Sequence, residues 1–236
     1  MSCSWSILRL FACATLVLLH GCASTQDNSA SEATMSGWWY ASFRINPSKS
    51  EIQWHLDALL ANEVVAPILE EYAEDIPIWR FHRRAADDVA GHQFSFIYYA
   101  SPRTAAVINQ KLQGNELYSK LRKQGLVQQL FVDNTHRVLR PEMTATSDKK
   151  WSVPLQESWP HYIMGVSRIW LGLIKQYSVG QDQSTILSEL VEKYKDVNRR
   201  VTLVWRKQGR HAFLHHLNAL FGYQPLEMTK HRLINF

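Results

Sequence analysis

Three basic residues alternate along one short segment of the sequence, in a pattern that could bind an anion. Arg80, His82 and Arg84 occupy every second position of a run that predicts a β-strand. Their side chains would therefore share one face of a sheet at a spacing of about 6.5–7 Å. Arginine binds carboxylates and phosphates through paired hydrogen bonds. Arg44, two strands away in the predicted sheet, and His92, which opens the next strand, complete the candidate anion-binding set.

The same pattern also has a purely structural explanation. Charged residues on strands usually face solvent or pair with carboxylates, and the partner carboxylates could here come from helices in the C-terminal part of the chain. The two explanations differ in what covers the basic face. An open concavity favours a ligand, whereas a face covered by those helices favours a structural role.

A second chemical feature is the segment Leu19-His20-Gly21-Cys22, which ends an apolar stretch over residues 7–19. It resembles the lipobox of bacterial lipoproteins, in which a peptidase removes the leader and the cysteine, here Cys22, becomes the acylated N-terminus. The apolar stretch of about 13 residues is too short to span a bilayer of about 30 Å as a helix. All three cysteines lie within this part of the chain, at positions 3, 13 and 22. A processed chain would keep no thiol for a disulfide, a thiolate metal site or a nucleophile.

This resemblance implies a signal peptide over residues 1–21 and a flexible tether over residues 22–37, because residues 23–34 are small and polar. Ala23, in place of an aspartate after the cysteine, implies the outer membrane and a protein facing the periplasm. We expect attachment through palmitate and further acyl chains, and a protein or envelope partner. The formal net charge of +5 is spread along the chain without a basic run, which argues against nucleic acid as a partner.

The elements that would position the basic residues follow from hydrophobic periodicity. Strands are predicted over residues 38–45, 78–83, 93–99 and 126–132, with one helix after Ser50, broken or kinked at Pro67, and a second from Ser101 to about Gly125. The order β-α-β-β-α-β predicts an α+β fold over residues 38–140, with a ferredoxin-like antiparallel sheet and both helices on one face. The strand from Trp39 should lie between the third and fourth strands, and the strand that holds Trp79 should lie at the edge.

Residues 141–236 are predicted to form a helical extension packed on this domain. Apolar stripes predict a helix starting near Pro160, a long helix over residues 184–208, and a short one over residues 210–221 that ends at Gly222. The short helix places His211 and His215 four residues apart, as metal ligands often are. Ala212 stands where the motif His-Glu-x-x-His requires a glutamate, so we predict no metal site and no cofactor.

Several residues between positions 38 and 140 also match the pattern of a known family. They are Trp39, the helix through Pro67, Trp79 with Arg80 and His82, His92, and Gly125-Leu126-Val127 leading to Asp133-Asn134-Thr135. This part of the chain resembles the C-terminal domain of lantibiotic dehydratases, also called the thiopeptide-type bacteriocin biosynthesis domain. The resemblance implies the ferredoxin-like fold and a basic sheet face, which in that family eliminates glutamate from a glutamylated peptide. The third strand here begins His92-Gln93-Phe94-Ser95, where the family tends to alternate arginines, so the activity is not expected to carry over.

Two functions from different classes follow from these observations. The sequence favours a non-enzymatic binding or interaction module in the periplasm, because it contains no Gly-rich phosphate loop, Gly-x-Ser-x-Gly elbow or paired-carboxylate signature. The alternative is an enzyme or ligand-binding domain that uses the basic face on a carboxylated or phosphorylated substrate. No catalytic residue can be assigned from the sequence.

Overall fold

A computed structural model describes residues 35–48, 52–84, 89, 91–179 and 186–225 of the chain. The predicted signal peptide, Cys22 and most of the predicted tether lie outside these residues. The described part is a mixed α/β structure in which a four-stranded antiparallel sheet packs with five helices. Its strands are β1 (Gly37–Ile45), β2 (Ile78–Arg84), β3 (Gln93–Ala100) and β4 (Val127–Val132).

The predicted neighbours of each strand are confirmed. The sheet has the order β2-β3-β1-β4, so β1 lies between β3 and β4 while β2 lies at an edge. Phe43 of β1 is opposite both Phe94 and Leu130, and Trp79 of β2 is opposite Tyr98. This register places most of the apolar positions of the four strands on one face of the sheet.

That apolar face is covered by three helices. Helix α1 begins as Trp54–Leu59, continues as a π-helical segment over Leu60–Val65 and returns to α geometry over Ala66–Glu71. Pro67 therefore does not break the helix; it lies in the first turn of the last segment, directly after the π-helical stretch. Proline lacks an N–H and crowds the preceding turn, and a change in helix geometry at this point accommodates both effects.

The second predicted helix is two helices in the structure, α2 (Pro102–Gln113) and α3 (Glu116–Lys123). The prediction of one continuous helix was wrong because Asn115 starts a new one. Its side-chain carbonyl accepts a hydrogen bond from the backbone N–H of Tyr118 at 3.0 Å, which is the standard role of an N-cap residue. The cap at Ser101 is of the same kind, since its hydroxyl accepts from the backbone N–H of Thr104 at 3.1 Å.

The C-terminal residues form two long helices that share the core of the sheet. Helix α4 is Val153–Ser178, and helix α5 is Leu187–Gly209, continued by a π-helical segment over Arg210–His215 and a last α-helical turn over His216–Leu220. The short helix predicted from residue 210 is thus a continuation of α5, although Gly222 does adopt the left-handed conformation of a C-cap, with φ at 67°. None of the helices in the described ranges has both the length and the apolar character needed to cross a membrane.

The predicted start of α4 near Pro160 was also wrong. The helix begins at Val153, with Pro154 in its first turn, and Pro160 lies inside it. A proline at this position leaves the carbonyl of Gln156 without its usual helical partner. The hydroxyl of Ser147 donates to that carbonyl at 2.7 Å, so a side chain from the preceding loop replaces the lost hydrogen bond.

Two polar contacts fix the positions of α4 and α5. The hydroxyl of Ser167 in α4 accepts a hydrogen bond from the backbone N–H of Phe81 at 3.1 Å, which satisfies a group on the outer edge of β2. The hydroxyl of Tyr194 in α5 is buried against α1, where it accepts from Asn62 at 2.7 Å and donates to Glu63. Burial, and then the hydrogen bond to Glu63, raise the pKa of Tyr194.

Tyr194→Phe is expected to lower the free energy of unfolding by about 1–3 kcal/mol, because it removes the hydroxyl that bonds to both Asn62 and the carboxylate of Glu63 and leaves these half-buried groups only their bond to each other. Urea denaturation of the wild type and the variant measures this loss. Tyr177→Phe is the matched control: Tyr177 is half-buried and its ring packs 5.9 Å from Arg200. An equal loss in both variants would show that the hydroxyl of Tyr194 does not hold α5 to α1.

Candidate functional site

The predicted basic face is the side of the sheet opposite α1, α2 and α3. Arg84 of β2 and Arg44 of β1 flank Gln93 of β3 from its two sides. Arg80 and His82 lie on the same side of β2 as Arg84, since they are separated from it by even numbers of residues. The structure therefore places four of the five predicted residues on one face.

His92 does not belong to this face, which corrects the predicted set. It precedes Gln93 by one residue, and its side chain points to the opposite side, where it is 4% exposed. Its ring packs edge-on against Trp54 at 4.9 Å, and its Nε2 lies 2.9 Å from Oδ1 of Asp57. The alternation of the strand already contained this information, because His92 is out of phase with Gln93 and in phase with the buried Phe94.

Asp57 uses both carboxylate oxygens to hold two basic side chains. Besides His92, it accepts a hydrogen bond from Nε of Arg83 at 2.7 Å, and Arg83 also donates to the carbonyl of Trp54 at 3.1 Å. The guanidinium lies between the rings of Trp54 and Trp170, at 4.7 and 4.9 Å from their centroids. We call Asp57, Arg83, His92 and Trp54 the Asp57 cluster. It joins the start of α1 to the ends of β2 and β3.

The C-terminal extension covers one end of the basic face. Three residues of the sheet, Trp38, Ile78 and Ile97, form a second small core with side chains of the 3-10 turn Met143–Thr146. The indole of Trp38 donates to the carbonyl of Met143 at 3.0 Å, which fixes the turn on the sheet. Because the turn ends beside Arg80, this arginine lies at the boundary between the covered and the uncovered parts of the face.

A cavity of about 780 Å³ lies at this boundary, between the outer edge of β2, the loop that precedes α4, and α4 itself. We call it the β2–α4 cavity. Its basic lining residues are Arg80, His82 and Arg83, its aromatic ones include Trp151, Trp159 and Trp170, and its polar ones include Thr146, Ser147 and Asp148.

Two polar atoms of this lining are buried without a hydrogen-bond partner in the part of the chain that the structure describes. They are Nε of Arg80 and Oγ1 of Thr146. Burial lowers the pKa of Arg80, and the hydroxyl of Tyr40, which is hydrogen-bonded to the guanidinium, offsets part of this effect. Buried polar groups in folded proteins nearly always have partners. An acceptor group placed in the cavity could satisfy the Nε of Arg80, and the hydroxyl of Thr146 could either donate to it or accept from it.

The tryptophans give the cavity a large flat surface beside these polar atoms. Trp151 and Trp159 meet edge to face with their ring centroids 4.8 Å apart, and the guanidinium of Arg83 lies 4.9 Å from the centroid of the Trp170 ring. Aromatic rings bury much apolar area with little loss of side-chain freedom, and their faces suit planar or sugar-like groups. The arrangement can bind a molecule that has an anionic group at one end and a flat or weakly polar body.

The sequence did not reveal most of this lining. Thr146, Trp151 and Trp159 come from a loop and the start of a helix whose position on the sheet has no local signature. Their one sequence signal is the presence of two tryptophans eight residues apart in an otherwise polar stretch. Of the predicted anion-binding residues, only Arg80 and His82 line the cavity.

Two other predicted features have clear positions. Asp133, from the family-like segment, accepts a hydrogen bond from the backbone N–H of Tyr40 at 2.9 Å and pairs with Arg140, whose guanidinium lies 4.4 Å from the ring of Tyr40. The rings of His211 and His215 stack with an angle of 11° at 5.2 Å. The described residues contain no group of three or more His, Cys, Asp or Glu side chains placed to hold a metal ion.

Comparison of the chain with protein-family models, with curated proteins and with solved structures gave no match. The β2–α4 cavity combines a half-buried arginine whose Nε is buried, a threonine whose hydroxyl oxygen is buried, and three tryptophans.

Proposed function

We propose that the protein is a bacterial envelope lipoprotein whose folded part binds an organic anion in the β2–α4 cavity. The observation that supports this most directly is that Arg80 and Thr146 each bury a polar atom without a partner among the described residues and that both line the same cavity. A carboxylate or phosphate oxygen could accept from the Nε of Arg80 in a charge-assisted hydrogen bond, which is among the strongest kinds in proteins.

The proposed ligand also has an aromatic or sugar body. Trp151 and Trp159 offer ring surface in the cavity lining, and Arg80 supplies positive charge there. Asp148, also in the lining, adds a carboxylate that would repel a second negative group placed near it. A ligand with a single anionic end, rather than a polyanion, suits this distribution of charge.

We propose a binding function rather than catalysis. Among the described residues, the buried carboxylate–histidine pair that resembles catalytic machinery is Asp57 with His92, and both oxygens of Asp57 are engaged, by His92 and by Arg83. A general base must instead reach a proton of the substrate. The cluster is better suited to fixing α1 on the sheet.

Two further parts of the proposal concern fold and location. The element order, with α2 and α3 in the place of one helix, and the sheet order β2-β3-β1-β4 support a ferredoxin-like unit over residues 38–140. The apolar stretch over residues 7–19, followed by Gly21 and Cys22, supports attachment to the outer membrane through N-terminal acyl chains, with the folded part in the periplasm.

Arg80→Met tests the ligand site. Isothermal titration compares two matched pairs of ligands, phenyl phosphate with phenol and glucuronate with methyl glucoside. The wild type should bind the anionic member of at least one pair better than the neutral member. Arg80→Met should weaken binding of the anion about tenfold or more, because hydrogen bonds to charged groups contribute about 1.5–3 kcal/mol. Its melting temperature should stay about the same, since the substitution removes the buried unpaired Nε together with the hydrogen bond to Tyr40.

Arg84→Met is the matched control, because Arg84 is on the same face of β2 but does not line the cavity. Thr146→Val is a second variant that removes the other buried atom while keeping the shape of the side chain. Preference for phenyl phosphate over glucuronate, or the reverse, shows which combination of anionic group and body the site favours. If no anion binds the wild type, or if Arg84→Met weakens binding as much as Arg80→Met, the proposed site is wrong.

A further inference from the structure

The C-terminal part of α5 carries positive charge that no acid balances. Residues 197–225 contain no aspartate or glutamate. Arg199 and Arg200 both pair with Asp196, just before this stretch. Beyond them, three exposed cations make no ion pair with any described residue, namely Arg206, Lys207 and Arg210.

The same end of the helix exposes large apolar side chains. Five of them are more than half exposed: Trp205, Leu214, Leu220, Phe221 and Tyr223. No residue between positions 210 and 220 is buried, so this part of α5 has little contact with the core. Single exposed apolar residues are ordinary on a protein surface, but a contiguous group of this kind indicates a binding surface.

The exposed apolar surface continues onto α4. A groove of about 840 Å³ lies between the two helices, lined by Trp205, Phe213 and Leu214 from α5 and by Tyr162 and Ile169 from α4. Tyr162 and Ile169 are themselves nearly half exposed, at 46% and 48%. The patch therefore spans two helices.

The aromatic part of this surface is held in place by the backbone. The rings of Trp205 and Phe213 stack at 6.1 Å with an angle of 16°. They lie close over Gly209, where an added Cβ would come within 3.0 Å of the Trp205 ring. The two rings thus pack on each other and on the backbone without a partner, so less side-chain freedom would be lost on binding.

We propose that this end of α5, together with the neighbouring face of α4, binds the surface of a bilayer that contains anionic phospholipid. A helix with exposed tryptophan and leucine next to unpaired arginine and lysine is typical of segments that lie in a membrane interface. The cations contact the anionic headgroups, and the apolar side chains insert at the boundary with the acyl chains. This contact is separate from the proposed anion site and from the N-terminal acyl anchor.

Charge complementarity favours this partner over the two alternatives. A second copy of the chain would bring two sets of unpaired cations together across a symmetric interface. The segment over residues 226–236 carries Lys230 and Arg232 against the single acid Glu227, so it does not supply the missing negative charge. A surface of anionic headgroups supplies it directly.

A photoreactive side chain at position 220 can identify what the surface touches. The full-length chain, with Leu220→benzoylphenylalanine, is irradiated with vesicles of phosphatidylcholine alone or of phosphatidylcholine mixed with phosphatidylglycerol. The same probe at Val179, which is 77% exposed at the end of α4, is the matched control. Both chains have the same N-terminus, so the leader or an acyl anchor contributes equally to their membrane binding.

We expect lipid adducts at position 220, several times more of them in the vesicles with phosphatidylglycerol, and few at position 179. The triple variant Arg206→Gln, Lys207→Gln, Arg210→Gln should lose about tenfold or more of the adduct, because each cation near an anionic surface contributes about fivefold in affinity. These cations are exposed, so far-UV circular dichroism should show an unchanged fold.

Four results would overturn the proposal. They are adducts of equal yield in the two kinds of vesicle, adducts of equal yield at positions 179 and 220, adducts to a second chain or within the same chain, and no adduct at position 220. None of them bears on binding of phenyl phosphate or glucuronate in the β2–α4 cavity, so failure here can be told apart from failure of the anion site.

Discussion

Asp57→Ala is expected to lower the free energy of unfolding by about 3–5 kcal/mol, because it removes one member of a buried ionic cluster and leaves the others behind. The side chain of Asp57 is 0% exposed, and its two oxygens contact Arg83 at 2.7 Å and His92 at 2.9 Å. Without the carboxylate, the buried ring of His92 loses its partner and the guanidinium of Arg83 is left between two indoles. The helix start at Trp54 loses the acid of its first turn as well.

Guanidinium denaturation monitored by tryptophan fluorescence measures this loss. Asp196→Ala is the control, because Asp196 pairs with two arginines near the surface, and exposed pairs contribute about 0–1 kcal/mol. Arg83→Met should cost less than Asp57→Ala, and the double variant should cost less than the sum of the two, since the second substitution removes the group that the first one stranded. Additive losses, or a loss from Asp57→Ala no larger than from Asp196→Ala, would contradict the structural role of the Asp57 cluster.

The strands were predictable because most of their apolar residues alternate and pack on one side. Ala41 and Phe43 of β1 are fully buried, as are Phe94 and Phe96 of β3, and a shift of one residue would expose all of them. Hydrophobic patterning therefore determined both the strands and their register. The antiparallel neighbours were predicted from the ferredoxin-like arrangement typical of this element order, because only β2 and β3 are adjacent in both the sequence and the sheet.

The helix boundaries were less predictable because single polar contacts decide them. Asn115 divides the predicted second helix by capping α3. An asparagine inside an apolar pattern does not by itself indicate that a new helix starts there. Pro160 is tolerated inside α4 because Ser147 supplies a hydrogen bond from outside the helix. Periodicity along the chain contains no information about a partner of this kind.

The candidate site was predicted only in part, for a similar reason. Arg80 and His82 followed from alternation on one strand, whereas Thr146 and Trp151 reach them from more than 60 positions away in the sequence. The hydrogen bond from Phe81 to Ser167 joins residues 86 positions apart. A cavity built from such distant segments depends on how α4 docks against the edge of β2, and that docking is decided by tertiary packing rather than by local pattern.

Cys22→Ser is expected to abolish acylation completely and to leave the leader uncleaved. The proposed lipid is attached through the sulfur of Cys22, and a serine hydroxyl is a much weaker nucleophile than a thiolate. Growth with labelled palmitate, followed by electrophoresis, measures both effects, since an uncleaved chain retains residues 1–21 and migrates more slowly. Cys13→Ser is the matched control, because it makes the same substitution within the predicted leader.

The pattern across the two variants assigns the acyl chain to one residue. If the label disappears in Cys22→Ser and persists in Cys13→Ser, the acyl chain is attached to Cys22. Cys3 and Cys13 are removed with the leader in a processed lipoprotein. Label that persists in Cys22→Ser would show that the lipobox interpretation is wrong. In that case the contact proposed for α5 would be a candidate for the protein's main attachment to a membrane, and the vesicle experiment would measure its strength directly.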